Sequence, residues 1–586
     1  MKSSLPYRPW IVALAVALSW IPVCRDALAA VSPVKTEANV RVEITLTARK
    51  AHADPFNDVT VDGVFVEPGG HEARVPAFWA GGNLWKIRYA SPVTGVHRFH
   101  SECTDPSDPG LHGVQGRVEV KPYRGTNPLY AHGPLRVSAN RRFLEHADGT
   151  PFFWLGDTWW MGLCHRLRWP DEFQTLAADR KQKGFNVIQL VAGLYPDMHP
   201  FDPRGANEAG CPWETNYTRI RPQYFDAVDR RIEFLVEQGI TPCIVGAWGY
   251  FIPWMGVEKA KQHWRYLVAR YGALPVVWCV AGEANLPWYQ AEHFPFDDRE
   301  QVKSWTEVAR YLRAVDPFHR LMTIHPTGIG RLSARNAIND LGLIDIDMLQ
   351  TPHGQREAVA PTLRTVRESY GDQPRMPVIN GEASYEMLNG QIAARWPRAM
   401  FWICMLNGAA GHTYGANGIW QCNRPGQPHG PSPTKGSPPQ GYGTTPWNEA
   451  MNFPGSRQIG LGAQLLRGYP WQRLVPDPES MTFVDPDPKG DAPQAAAVPG
   501  GVRLGYIPQA RPVQVRKLPP GRPYRAFTFD PVTGDRRALG TIVADAEGRW
   551  TCAPPPDVQE EDWVLVLEPA GNTIRREPSP RTPSPR

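Results

Sequence analysis

Two acidic residues stand where a long apolar run ends. Pro275-Val276-Val277-Trp278-Cys279-Val280-Ala281-Gly282 leads into Glu283, and Pro377-Val378-Ile379-Asn380-Gly381 leads into Glu382. The glycine before each lets the backbone turn tightly while the side chain enters a partly desolvated mouth. Such a setting raises the pKa of one carboxyl while a neighbouring group holds the other ionised. A protonated carboxyl beside an ionised one is what cleavage of a glycosidic bond needs. Either glutamate alone reads equally well as an ion-pair partner on a rim, so the inference rests on the pair.

Positioning two such groups from segments about a hundred residues apart requires a scaffold that gathers strand ends. Between about 150 and 468, short apolar runs alternate with amphipathic helical segments, the texture of parallel βα units. Eight strands are expected: Phe152 to Gly156, Asn186 to Val191, Thr241 to Trp248, Val276 to Ala281, Leu321 to His325, Ile346 to Gln350, Pro377 to Gly381 and Ala410 to Tyr414. Helices are expected over Pro170 to Lys183, Gln223 to Gln238, Val257 to Tyr271, Arg299 to Val315 and Gln391 to Leu406. In the fourth, Val302, Trp305, Ala309, Leu312 and Val315 keep one helical stripe. Eight strands in such a span suit a closed (β/α)8 TIM barrel, whose chemistry lies at the carboxyl ends of its strands. The alternative, an open doubly wound sheet, lacks its signatures: no GxGxxG follows the first strand and no GxxxxGK[ST] occurs. On this count Glu283 follows strand four and Glu382 strand seven.

Other polar and aromatic residues fall at the same strand ends. Asp157 either bonds a sugar hydroxyl or orients a catalytic neighbour, or else serves as a helix cap or loop salt bridge. Trp159, Trp160, Trp248, Trp288, Tyr385, Tyr414 and Trp420 flank strand ends, and an aromatic-rich mouth suits the apolar C–H faces of sugar rings. Any single one of them reads more simply as barrel packing. His325, Gln350 and His353 end strands five and six and are candidates to fix sugar hydroxyls or orient Glu382. Gln189, inside strand two, fits that role or a satisfied core network. No HExxH or His-x-His pair supports a metal, so neither metal nor cofactor is expected. The Gly- and Pro-rich stretch from Gly411 to about Gly455 is long enough to wall a cleft.

The flanks have period two. Val40, Val42, Ile44 and Leu46, then Trp85, Ile87 and Tyr89, alternate with polar residues and predict an N-terminal antiparallel β-sandwich over residues 30–135. The barrel is assigned residues 136–468. Alternation returns in Val502-Arg503-Leu504, Phe527-Thr528-Phe529 and Trp563-Val564-Leu565-Val566, giving a C-terminal β-sandwich over 469–570. Residues 571–586 are Arg-, Ser- and Pro-rich without apolar periodicity and are expected to be disordered.

At the other end, Lys2 and Arg8 precede an apolar stretch from Trp10 to Val23, and Ala27-Leu28-Ala29 offers a small-x-small cleavage site. Residues 1–29 therefore read as an export signal, and the mature protein as secreted or periplasmic, with no membrane attachment after cleavage. The net charge of +5 resides largely in the two termini, leaving a near-neutral body without the electrostatic footprint of a nucleic-acid binder. Cys243, Cys279 and Cys404 fall in apolar runs as buried thiols would, so few disulfides are expected. The expected partner is a polysaccharide or oligosaccharide.

Four stretches carry a family resemblance: Phe153-Trp154-Leu155-Gly156-Asp157-Thr158-Trp159-Trp160, Gly184-Phe185-Asn186-Val187-Ile188-Gln189, Asp347-Met348-Leu349-Gln350-Thr351-Pro352-His353 and Asn380-Gly381-Glu382-Ala383-Ser384-Tyr385-Glu386. The barrel resembles the retaining glycoside hydrolases of clan A, and the chain is similar to the apiosidase-like hydrolases of glycoside hydrolase family 140. Those proteins share its order of N-terminal sandwich, barrel and a C-terminal domain often labelled collagen-binding. The resemblance implies Glu283 as general acid/base and Glu382 as nucleophile. Many clan members place Asn directly before the strand-four glutamate, where it bonds the substrate 2-hydroxyl, whereas Gly282 stands there in this chain. A secreted retaining hydrolase acting on a polysaccharide side chain, such as a pectic rhamnogalacturonan, is the leading expectation. The alternatives are a non-catalytic carbohydrate- or matrix-binding protein on a barrel scaffold and another clan A β-glycanase, such as a β-mannanase or cellulase.

Overall fold

The computed structural model describes Met1 and residues 31–286, 298–328, 332–433, 437, 441–488, 490–556 and 562–571. The expected export signal, Trp288 and the tail past Gly571 lie outside the described residues.

Each of the eight segments read as a barrel strand carries one. In chain order they are β1 Trp154–Thr158, β2 Val187–Val191, β3 Thr241–Val245, β4 Val277–Cys279, β5 Met322–Thr323, β6 Asp347–Gln350, β7 Val378–Glu382 and β8 Gly411–Tyr414. They form one all-parallel sheet in the order β5-β4-β3-β2-β1-β8-β7-β6. Across the remaining seam Asp345 N donates to Met322 O (2.8 Å) and Thr323 Oγ1 to Ile346 O (2.9 Å), which brings β5 against β6 and completes the circle. Every residue of these strands is buried, as expected where helices cover the outside and side chains fill the axis.

The expected first strand is shifted. Pro151–Phe152 belongs instead to a three-stranded antiparallel sheet with Leu135–Val137 and Leu144–His146, and β1 runs on through Asp157 and Thr158. Two collinear extended segments have the same apolar texture, so periodicity does not separate them. The helix over Asp298–Val315 buries Val302, Trp305, Ala309 and Leu312 of the expected stripe, with Val315 at its end only partly buried. Helices Val359–Gly371 and Pro454–Arg467 complete the outer layer and lie outside the five expected helical segments.

The N-terminal region is a single folded-over sheet of seven strands. The ten-residue strand Glu72–Gly81 pairs with Val61–Val66 along one half and Leu84–Tyr89 along the other, so both layers share it. Phe65 of one layer stacks on Tyr89 of the other at 3.9 Å, and Ile44, Trp85, Phe99 and Val118 fill the space between. One pairing departs from the antiparallel expectation: Val34–Glu37 runs parallel to Gln115–Lys121. The C-terminal region packs a six-stranded sheet on a three-stranded one around Met481, Val513, Trp563 and Leu565.

Both flanking regions are joined to the barrel by buried ion pairs. Arg88 Nη2 donates to Asp229 (2.5 Å), which also accepts from Arg270 (2.9 Å). On the other side Arg398 bonds both oxygens of Asp562 (2.9 and 2.6 Å), and Trp402 stacks on Tyr506. All eight cysteines among the described residues are free thiols.

Candidate active site

Glu283 lies four residues past β4 in a left-handed backbone conformation, φ 43°. For a non-glycine this costs about 1–3 kcal/mol and persists only where the surroundings fix it. Here Gly249 N donates to Gly282 O (2.6 Å), Ala284 N to His325 O (2.9 Å) and Gln301 Nε2 to Ala284 O (2.8 Å). The turn aims the Glu283 carboxylate at Trp248, whose Nε1 donates to its Oε2 at 3.1 Å. Gly282 makes this possible. A Cβ there would stand 2.3 Å from the Trp248 ring, so the indole lies where a side chain on residue 282 would begin. Glycine at position 282 is thus a packing requirement of Trp248.

Glu382 ends β7 and is 5% exposed. His353 Nε2 contacts its Oε1 at 2.9 Å, and His325 Nε2 stands 3.4 Å from its Oε2. The other ring nitrogen of His325 is 2.9 Å from Pro326 O. The Trp160 ring meets His325 edge-on at 5.5 Å and Trp248 at 5.3 Å, so one indole spaces the surroundings of both glutamates. Tyr385 packs against His353 at 4.5 Å and against the bare backbone of Gly415, where a Cβ would clash at 2.1 Å.

The two glutamates converge on Gln350, the last residue of β6. Its Nε2 is 2.9 Å from Glu283 Oε1 and 3.2 Å from Glu382 Oε1, so these two oxygens stand at most about 6.1 Å apart. Their proton affinities are driven apart. Burial, the Glu382 charge and, further off, the Asp197 charge push Glu283 up to about 8, against the bonds from Gln350 and Trp248. Burial acts upward on Glu382 as well, but the His353 hydrogen bond and the charges of His353 and His325 outweigh it and hold Glu382 below the usual carboxylate value. Burial lowers His325. Near neutral pH the pair holds one proton, on Glu283. Around Glu382, the buried Gln189 Oε1 and Gln350 Oε1 have no hydrogen-bond partner among the described residues, while His325 Nε2 and Tyr385 OH face Glu382, and Tyr385 OH faces Thr158, in looser contacts. Buried polar groups are normally bonded, so these open acceptors mark a place suited to a polar ligand.

Three expected site residues lie elsewhere. Asp157 is fully buried and bonded by Arg180 Nε (2.6 Å) and by Trp159 Nε1 (2.7 Å). Of its two readings, the salt bridge is the one found. Trp159 turns away from the mouth to make that bond and to pack edge-on against Phe173. Tyr414 donates to Glu386 Oε2 and lies 5.7 Å from the Arg180 guanidinium. These residues form a sealed network beside the barrel core, because β1 extends through Asp157 and so directs its carboxylate at the adjoining helix rather than at the mouth. Gln189 braces the site: its Nε2 donates to Gly381 O (2.9 Å), fixing the peptide before Glu382. Trp420 stands at the rim, edge-on to Tyr442 at 5.6 Å.

Two site residues were missed. Asp197, 5% exposed, sits in the loop after β2 with φ 55°, and its charge acts on Glu283. Tyr442 OH lies 3.5 Å from Asp197 Oδ1 and feels both glutamates. Neither adjoins a strand in sequence, Asp197 following Val191 by six residues and Tyr442 lying deep in the loop after β8. Inspection of whole loops at the carboxyl face, rather than strand ends alone, would have flagged Asp197.

A parallel (β/α)8 barrel with two converging carboxyl groups of opposed proton affinity at its carboxyl face defines a glycoside hydrolase-like protein. The Apiosidase-like catalytic domain matches residues 138–473, and a domain of unknown function, DUF5060, matches residues 36–104. The chain belongs to the Apiosidase-like family. Among solved structures, one named Glycoside hydrolase is 24% identical with a TM-score of 0.64, over 77% of this chain and 100% of its own. A glycoside hydrolase family 5 protein from Bacteroides vulgatus ATCC 8482 is also 24% identical with a TM-score of 0.64, over 77% of this chain and 95% of its own. A further structure from the same organism is 17% identical with a TM-score of 0.65, over 92% of this chain and 100% of its own. At these identities the likeness is one of fold. No curated protein matches the chain.

Proposed function

We propose that the protein is an exported retaining glycosidase that removes a sugar from a polysaccharide side chain. Glu382 attacks the anomeric carbon and the glycosidic C–O bond breaks. Its electron pair goes to the leaving oxygen, which takes the proton of Glu283. Glu283, now ionised, then removes a proton from water as the water attacks the same carbon, releasing Glu382 as carboxylate and restoring the acid. The observation that carries this reading is the pair of Gln350 bonds. Carboxyl oxygens within about 6.1 Å suit the roughly 5–5.5 Å spacing of retaining enzymes, whereas inverting ones hold theirs about 6.5–9.5 Å apart to admit a water. The proton affinities agree, with Glu283 protonated as the acid and Glu382 ionised as the nucleophile. The aromatic walls of Trp160, Trp248 and Tyr385 suit sugar faces, and the open acceptors Gln189 Oε1 and Gln350 Oε1 suit hydroxyls. A pectic, apiose-bearing side chain is the proposed substrate on family grounds, with the flanking β regions as accessory domains.

Oligosaccharides released from pectin, including apiose-bearing fragments, should be cleaved, and NMR of the first product should show the anomeric configuration of the substrate. Glu382→Gln should abolish release while the fold survives. An inverted product, or near-full activity in that variant, refutes the mechanism.

A further inference from the structure

The glycosidase reading gives no role to the Gln350 amide, which touches both catalytic carboxyls. We infer that Gln350 is a shared positioning donor whose two N–H bonds follow the negative charge as it passes between Glu382 and Glu283 during the reaction.

A primary amide nitrogen carries two hydrogens about 120° apart. Nε2 of Gln350 stands 2.9 Å from Glu283 Oε1 and 3.2 Å from Glu382 Oε1, so each hydrogen has its own carboxyl. Only 3% of the residue is exposed, and the backbone of Gly328 lies close beside the amide, where even an added Cβ would stand only 3.2 Å from Nε2. Gln350 also anchors to the barrel through its backbone, its N–H donating to Leu332 O at 3.1 Å. The other donors are private: Trp248 serves Glu283 only, while His353 serves Glu382 only.

Charge relocates when the glycosyl-enzyme forms. Before the step Glu382 carries the negative charge and Glu283 the proton. After it Glu382 is a neutral ester and Glu283 has given its proton to the leaving oxygen. A bond from an amide N–H to an ionised carboxylate is roughly twice as strong as one to a neutral carboxyl. A donor bonded to both groups therefore has a strong bond on whichever side the charge lies, with no side chain moving and no water entering. That is preorganisation for a charge transfer rather than for a fixed charge. It also fixes the spacing of the two carboxyls, since lengthening either bond moves one oxygen off the donor.

The mechanistic meaning of this role rests on the glycosidase reading, but its physical content is testable without a substrate. Gln350→Met keeps length and removes both N–H groups; Gln350→Glu keeps shape and replaces the shared donor with an acid. The first measurement is 13C NMR titration of Glu-carboxyl-labelled enzyme, with the Glu283 signal identified by its loss in Glu283→Gln. Gln350→Met should raise the Glu283 titration by on the order of one pH unit, since the bond it loses favoured the ionised form. Gln350→Glu should raise it further. The second measurement is the pH dependence of kcat/KM on p-nitrophenyl glycosides that the wild-type enzyme cleaves. The alkaline limb should move up with the titration, and the maximum should fall about 10- to 100-fold. A merely structural glutamine would lower thermal stability or rate and leave both the titration and the limb in place. An unmoved Glu283 titration in either folded variant overturns the inference. A moved titration in an enzyme that cleaves no glycoside upholds the shared donor and refutes the glycosidase reading instead.

Discussion

A buried carboxyl held at a raised proton affinity should weaken the fold as it ionises, and Glu283 allows that cost to be measured. Its carboxyl titrates at about 8 in the folded chain against an ordinary value of 4.5. The sign follows from linkage. A carboxyl with a raised folded pKa binds its proton more tightly when folded, so its contribution is fully present below pH 4.5. It is lost progressively as the pH rises toward 8, above which no further loss occurs. At about 1.4 kcal/mol per unit the full window amounts to about 5 kcal/mol. Glu283 keeps some contact with solvent, and the neighbouring charge on Glu382 can relax, so about half of this, roughly 2 kcal/mol, is expected in practice. Glu283→Gln removes the titration while keeping shape; its single amide oxygen can accept from only one of Gln350 and Trp248, a loss that is the same at every pH and so leaves the pH-dependent difference intact. Urea or thermal unfolding of wild type and variant at pH 4.5, 6, 7 and 8.5 should therefore show the variant gaining stability steadily across that range relative to wild type, by roughly 2 kcal/mol in total, and losing activity throughout. A stability difference independent of pH would refute the claim that burial and the facing carboxylate raise Glu283.

Asp197→Asn removes a negative charge that helps push Glu283 up, so the alkaline limb of kcat/KM should move down in pH, opposite to the Gln350 variants; a pH–rate profile checks the sign. Gly282→Ala places a methyl 2.3 Å from the Trp248 ring, and should displace the indole and cost the Trp248–Glu283 bond, with an expected fall in kcat of about 10-fold or more measured alongside unchanged circular dichroism. Asp157→Ala removes one of the two carboxylates that hold the buried Arg180 guanidinium, leaving Asp179 as its partner, and should destabilise the barrel by about 1–3 kcal/mol by urea denaturation, rather than alter substrate affinity in the fraction that stays folded.

The strand segments and the two glutamates at their ends were legible before any coordinates. The eight strand segments were legible because parallel barrel strands are buried on both sides and so appear as near-continuous apolar runs, and the strand-end rule then selected Glu283 and Glu382. The same rule misplaced Asp157, Trp159 and Tyr414. β1 runs on past its expected end at Gly156, so Asp157 lies within the strand and the period-two alternation, rather than a loop, sets its direction. Asp157 consequently pairs with Arg180 instead of entering the mouth. Tyr414 ends β8 where expected, and only its contacts with Glu386 and the Arg180 guanidinium show where it points. Which nitrogen serves which carboxyl came from the folded arrangement alone. Gln350 could be read as a polar strand end, but its contact with both glutamates depends on β4, β6 and β7 meeting at one level of the barrel. The proton affinities were beyond reach for the same reason, since they arise from the burial and mutual charge of groups about a hundred residues apart. Asp197 and Tyr442 lay in loops whose paths no local pattern encodes, because a loop's course is set by what it packs against rather than by its own periodicity.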